Sequence, residues 1–155
     1  MRCLLAVAVV VFASAGAPAA DAPEDLAKKV ALDMLKAIKA KNVDDAVKLT
    51  GTPYYFSMDG KDELIEKADV VKDKIKLALD KPIDEAKLPT DVLEVVPLEK
   101  AKEKFGGKNA ERMAVIEKAM GKDGFVVVVG KDGKPAGGFL VAMKDGKAKI
   151  VGIPR

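Results

Sequence analysis

The stretch FVVVVGKDGKPAGGFLVAMKDGKAKIVGI, residues 125–153, decides how this chain is read. Its apolar runs are interrupted twice by one tetrapeptide, Lys131-Asp132-Gly133-Lys134 and Lys144-Asp145-Gly146-Lys147. Asp-Gly between apolar runs is a hairpin signal, because the tightest hairpin turn needs positive φ and glycine accepts it without a Cβ clash. The spacing predicts strands over Phe125–Val129, Gly138–Lys144 and Ala148–Ile153, joined as an antiparallel meander. The repeated tetrapeptide is one turn used twice, since no longer repeat surrounds it. Phe125 to Val129 is apolar at every position, so this strand needs cover on both faces. Two covers are available: the segment just before it, or a second copy of the chain forming a homodimer through the sheet face. Lys122-Asp123 and Lys131-Asp132 flank the run as charged gatekeepers against aggregation.

Working back from the meander, residues 99–121 read as a helical excursion, broken at Gly106-Gly107 and ended by Gly121. Before it, Val92 to Leu98 reads as a strand, and Pro97 confines that strand to a sheet edge because it has no N–H to donate. The first half of the chain has the helical period instead. Leu26, Val30, Met34, Ala37 and Ile38 share one face of a helix that Pro23 opens and Lys39 ends. Asn42 caps a short second helix whose inner side is Val43, Ala46, Val47 and Thr50. Tyr54-Tyr55-Phe56 is a brief aromatic strand closed by Asp59-Gly60. The stripe Leu64, Ala68, Val71, Ile75 and Leu79 predicts a third helix from Asp62 to Asp80, followed by a loop bounded by Pro82 and Pro89.

The N-terminus reads as an address. Met1-Arg2 is a positive start, Cys3 to Ala13 is apolar throughout, and Ser14 to Ala20 is small and helix-breaking. That is the pattern of a secretory signal peptide, whose apolar region needs ~7–15 residues, and it falls short of the ~20 that span a bilayer. The expectation is a signal peptide over residues 1–20 and one α+β domain over residues 21–155, periplasmic or extracellular, with no membrane span. Cys3 stands at the start of the apolar region, before its bulk, and so cannot be a lipid-attachment cysteine at the cleavage point. The remainder has no cysteine and therefore tolerates an oxidising compartment without using it.

Composition removes most chemistry. The chain has no histidine and no tryptophan, and Ser57 is the only serine past residue 20. Histidine-dependent triads and zinc sites built on soft ligands are excluded on that ground. Gly130-Lys131-Asp132-Gly133-Lys134 lacks phosphate-loop spacing, and the Asp-Gly-Lys turns lack the alternating oxygens of a calcium loop. No cofactor and no metal are expected. The 27 basic residues nearly balance the 24 acidic ones, and almost all are lysines interleaved with carboxylates. Such a surface is a solvated one, and no nucleic-acid partner is expected.

The order of a long helix, a short helix beginning Lys41-Asn42-Val43-Asp44-Asp45-Ala46-Val47-Lys48, an aromatic strand, a third helix and a bent meander resembles the nuclear-transport-factor-2-like superfamily. This group includes ketosteroid-isomerase-like and SnoaL-like enzymes beside many non-catalytic members. The resemblance spans residues 21–155 and departs at the excursion of residues 99–121. It implies a cone, with N-terminal helices packed on a curved antiparallel sheet around an apolar pocket. In the isomerase branch it also implies a helix-one tyrosine, a general-base aspartate and a protonated strand aspartate. Taken from Asn42, the resemblance puts Met34, Met58 and Leu140 or Val141 at those places, and none of these side chains can donate to an oxyanion or accept a proton. No catalytic residue is assigned. The expected function is a non-catalytic domain binding a small apolar ligand or a protein partner, its ligand-binding residues being Met34, Tyr54, Tyr55, Asp59 and Val141. The alternative is an enzyme that uses Tyr54 or Tyr55 with Asp59 for proton transfer in the cone.

Overall fold

The structure is a computed structural model, and it describes residues 21–58, 61–105 and 110–154. Elements follow in the order α1 (Pro23–Lys39), α2 (Val43–Leu49), β1 (Thr50–Met58), β2 (Lys61–Ile65), α3 (Ala68–Leu79), β3 (Asp91–Pro97), α4 (Leu98–Phe105), α5 (Ala110–Met120), β4 (Phe125–Lys131), β5 (Lys134–Lys144) and β6 (Lys147–Gly152). The strands form one six-stranded sheet in the order β2-β1-β6-β5-β4-β3, with helices packed against it. The fold class is α+β.

The meander has the expected turns. Asp132 and Gly133 have φ of 52° and 74°, and Asp145 and Gly146 have 50° and 71°. Positive φ at both central residues matches the right-handed twist of the flanking strands, which is why Asp-Gly is used at both places. β3 lies at the sheet edge, where Pro97 pairs with Phe125 and, among the described residues, no strand lies beyond it. Register shifts at Val92/Glu94, Val129/Gly130 and Leu140/Val141 interrupt the ladders, and such bulges bend the strands that carry them.

Two local expectations change. The sheet is mixed, because β1 runs parallel to β6 while every other pair is antiparallel. Parallel neighbours need a long crossover, and residues 59–146 lie between these two strands. The third helix also starts later than its stripe suggested. Lys61–Ile65 is a strand paired with β1, Tyr54 facing Ile65 and Tyr55 facing Leu64 across the ladder. The adjacent apolar pair Leu64-Ile65 feeds opposite faces of a sheet covered on both sides, which a helix cannot do. The four-residue step from Leu64 to Ala68 imitated a helical period across a strand end.

Those two faces are unequal. On the front, α1 lies across β3, β4, β5 and β6. Ala27, Ala31 and Met34 of α1 pack there with Phe125, Val127, Val129, Phe139, Val141 and Ile150 of the sheet. Asn42 caps α2 as expected, accepting from the Asp45 N–H at 3.1 Å. Lys149 reaches the other end of α2 and donates to the Lys48 carbonyl at 2.6 Å, where a cation also suits the helix dipole.

On the back, the helical excursion supplies the second cover that Phe125–Val129 required. Leu98 of α4 and Ile116, Ala119 and Met120 of α5 are buried against Tyr55, Leu140, Ala142 and Val151. Ion pairs tie this layer down: Lys102 of α4 to Glu117 of α5, and Lys104 of α4 to Glu94 of β3 at 2.9 Å. Both are surface pairs, worth about 0–1 kcal/mol each, so apolar burial dominates. Gly121 follows α5 at φ 71°, the left-handed end at which glycine stops a helix. The expected interruption at Gly106-Gly107 lies outside the described residues.

Candidate functional site

The back layer leaves a gap between its two helices. A cavity of about 290 Å³ opens over β4 and β5, floored by Val126, Val128 and Leu140 and walled by Ala101 of α4 and Met113 and Ile116 of α5. Its floor is notched at Gly138, which pairs with Val128 and carries no side chain. A Cβ at Gly138 would stand 3.1 Å from the Val127 carbonyl oxygen and 3.7 Å from Pro154. The notch therefore exists because residue 138 is glycine, where Ala136-Gly137 gives way to the bulkier Phe139-Leu140-Val141.

Arg112, in the first turn of α5, contributes the one charged side chain among the described residues lining this groove. It is held from behind. Its Nε donates to the Tyr55 hydroxyl at 2.7 Å, and its guanidinium carbon lies 5.8 Å from the centre of the Tyr55 ring. The Tyr55 hydroxyl in turn donates to Asp62 Oδ1 at 2.6 Å. Asp62 and Arg112 are themselves 3.7 Å apart, with 24 % and 29 % of their side-chain surfaces exposed. Three elements, β1, β2 and α5, are thereby pinned through one phenol.

Electrostatics make this cluster a brace and a poor acid–base pair. Burial pushes the Tyr55 hydroxyl above its usual range, and the hydrogen bond to Asp62 pushes it further. The same bond holds the Asp62 carboxyl below the usual carboxylate range, with smaller help from Ser57 and Arg112. General acid–base catalysis works best with a group poised near neutrality. Here the proton donor and the proton acceptor both move away from it.

The residues expected to line a pocket are divided by the sheet. Met34, Tyr54 and Val141 are buried together on the front, within the packed layer under α1. Burial raises the Tyr54 hydroxyl well above its ordinary value, so Tyr54 stays neutral. Tyr55, one residue on, points to the back, as strand alternation requires. Asp59 lies outside the described residues, and among the described residues it is Asp62 that meets a tyrosine hydroxyl. Against protein-family models, curated proteins and solved structures, the chain matches none.

Arg112, Asp62 and Gly138 were not among the expected site residues. A signal for Arg112 was present: it stands four residues before Ile116 and seven before Ala119, on the apolar stripe of α5. It is also one of only two arginines past residue 20, in a chain that otherwise uses lysine. No such signal marked Asp62, since its partner is brought to it by the β1–β2 ladder and by a helix fifty residues away in sequence. Among the described residues, no group of three or more Asp, Glu, His or Cys side chains could hold a metal ion, and no helix is long and apolar enough to cross a membrane.

Proposed function

We propose that this chain is an exported, non-catalytic domain that holds a small apolar ligand in the groove behind its sheet. The observation that carries the reading is the groove: about 290 Å³, apolar on its floor and on both helical walls, with a single charged side chain among the described lining residues. That volume sits at the lower end of the ~300–1,000 Å³ of small-molecule pockets. Kinship with the nuclear-transport-factor-2-like superfamily belongs to the same proposal and is supported by element order alone. Export rests on the N-terminal pattern of residues 1–20.

Methyl-resolved NMR with decanol as the probe tests the ligand site. Expected are shifts confined to Val126, Val128, Leu140 and Ile116. Shifts at Val141 and Ile150 with the groove silent, or no shifts at all, would sink this reading. For export, N-terminal sequencing of protein recovered outside the cytoplasm is expected to begin near residue 21. Recovery only as a chain that retains residue 1 would overturn that part.

A further inference from the structure

We infer that the groove takes a compact, uncharged ligand of two fused rings, and that Gly138 is the residue that admits the second ring. This rests on the groove being a ligand site. An apolar cavity of ~150 Å³ holds one benzene, so roughly 25 Å³ goes to each non-hydrogen atom. A groove of about 290 Å³ therefore takes about twelve such atoms, enough for two fused rings and too few for three. Its outline is also short. The lining runs from Val126 to Val128 on β4 and from Gly137 to Leu140 on β5, about 7 and 10 Å at the rise of a strand. An alkyl chain of equal volume would have to fold back on itself there, and it would lose torsional freedom that a ring system does not have. Arg112 is engaged with Tyr55 and Asp62, so no charge is asked of the ligand.

Floor and wall both suit a flat, rigid molecule. Gly137 and Gly138 leave the β5 backbone bare on the floor, and glycine is the residue that lets a backbone come close to a ligand. A methyl at position 138 would occupy the space between Val128, its cross-strand neighbour, and Pro154, 3.7 Å away. That removes one carbon's room from a floor only two strands wide. Met113 stands half-buried in the α5 wall. Its polarizable sulfur makes favourable contacts with aromatic rings, and its flexible side chain settles against whatever shape the ligand presents.

Four probes test ring number and shape: naphthalene, toluene, phenanthrene and decanol. Bound naphthalene is read by its own fluorescence, in a chain that has no tryptophan, and the other three by displacing it. Naphthalene is expected to bind at least about threefold more tightly than decanol, which has a similar atom count but many more rotors. Toluene should be about tenfold weaker than naphthalene for its three missing carbons. Phenanthrene, with a third ring, should bind no more tightly than naphthalene. Gly138→Ala should weaken naphthalene about fivefold or more and leave toluene within about twofold, with circular dichroism confirming the fold. Met113→Leu should weaken naphthalene about two- to tenfold and leave decanol within about twofold. Should Gly138→Ala fail to fold, Met113→Leu and the order of the four probes on the unaltered protein decide instead. Decanol binding as tightly as naphthalene, or phenanthrene more tightly, would overturn the two-ring ligand and leave the groove standing as an apolar site. A folded Gly138→Ala that weakens toluene and naphthalene alike would overturn the role of Gly138. No uptake of any probe would overturn both the ligand and the groove. So would a doubled mass in light scattering with the groove's methyl signals broadened by protein concentration alone, which would identify a second copy as the occupant.

Discussion

The front and back of the sheet are built from the same strands but solve the covering problem differently. In front, α1 presents a continuous small-and-apolar face, and Ala27, Ala31 and Ala37 let it settle close to the sheet while Met34 fills the space between. Behind, two shorter helices share the work, and the seam between them is left open over Val126, Val128 and Gly138. One face is a closed core, the other a core with a cavity and a charged brace at its rim. The difference teaches that one continuous helix closes a face of the sheet, whereas a cover divided between two helices leaves a cavity.

That contrast can be broken most directly with two identical truncations. Ile150→Ala in front is expected near the top of the ~2–5 kcal/mol range for isoleucine truncation in cores, and Ile116→Ala behind near its bottom. The reason is that Ile116 already borders open space, so its removal enlarges a cavity without creating a new sealed one. Equal losses in urea denaturation would end the distinction.

Next in size is the brace. Tyr55→Phe leaves Arg112 and Asp62 without their shared hydroxyl and is expected to cost about 1–3 kcal/mol, read from the same denaturation curves. Its pH dependence follows from the directions of the shifts. Asp62 has a lowered value in the folded state, so its contribution is present above the ordinary carboxylate value of ~3.9 and is lost as pH falls through the folded one. Tyr55 has a raised value, so its contribution is present below ~10 and is lost as pH rises through the folded one. The stability gap between the unaltered protein and Asp62→Asn should therefore be flat between about pH 5 and 9 and close in acid. A gap that widens in acid would contradict the brace.

Smaller effects sharpen the comparison at its margins. Gly146→Ala and Gly133→Ala place a Cβ at φ of 71° and 74° and should each cost about 1–2 kcal/mol, wherever in the sheet the turn lies. Asn42→Ala should cost about 1 kcal/mol by uncapping α2. Because α2 belongs to the front layer, methyl signals of Ile116 and Leu140 should not move in that variant. Movement there would mean that the two layers are coupled more tightly than their separate packing suggests.

Much of the fold was legible because it is written in local rules. The twin Asp-Gly turns, the edge position forced by Pro97, the Asn42 cap and the need to cover Phe125–Val129 twice each follow from the backbone preference of one residue or the period of a short run. The start of α3 was misread because a strand end and a helix start shared a spacing of four. Little of the candidate site could be read in the same way. Tyr54 and Tyr55 looked like a pair, yet the pleat sends them to opposite layers.

By itself, then, the sequence determined an α+β chain with a C-terminal meander, a doubly covered central strand and no histidine or cysteine chemistry past residue 20. Only the tertiary structure decided which segment covers the back, that a seam remains in that cover, and that Tyr55, Asp62 and Arg112 meet at its rim. The physical reason is range. Turns, caps and periodicity act over a few residues and leave their mark in order, whereas a groove is the space between elements, and it forms only once distant segments pack together.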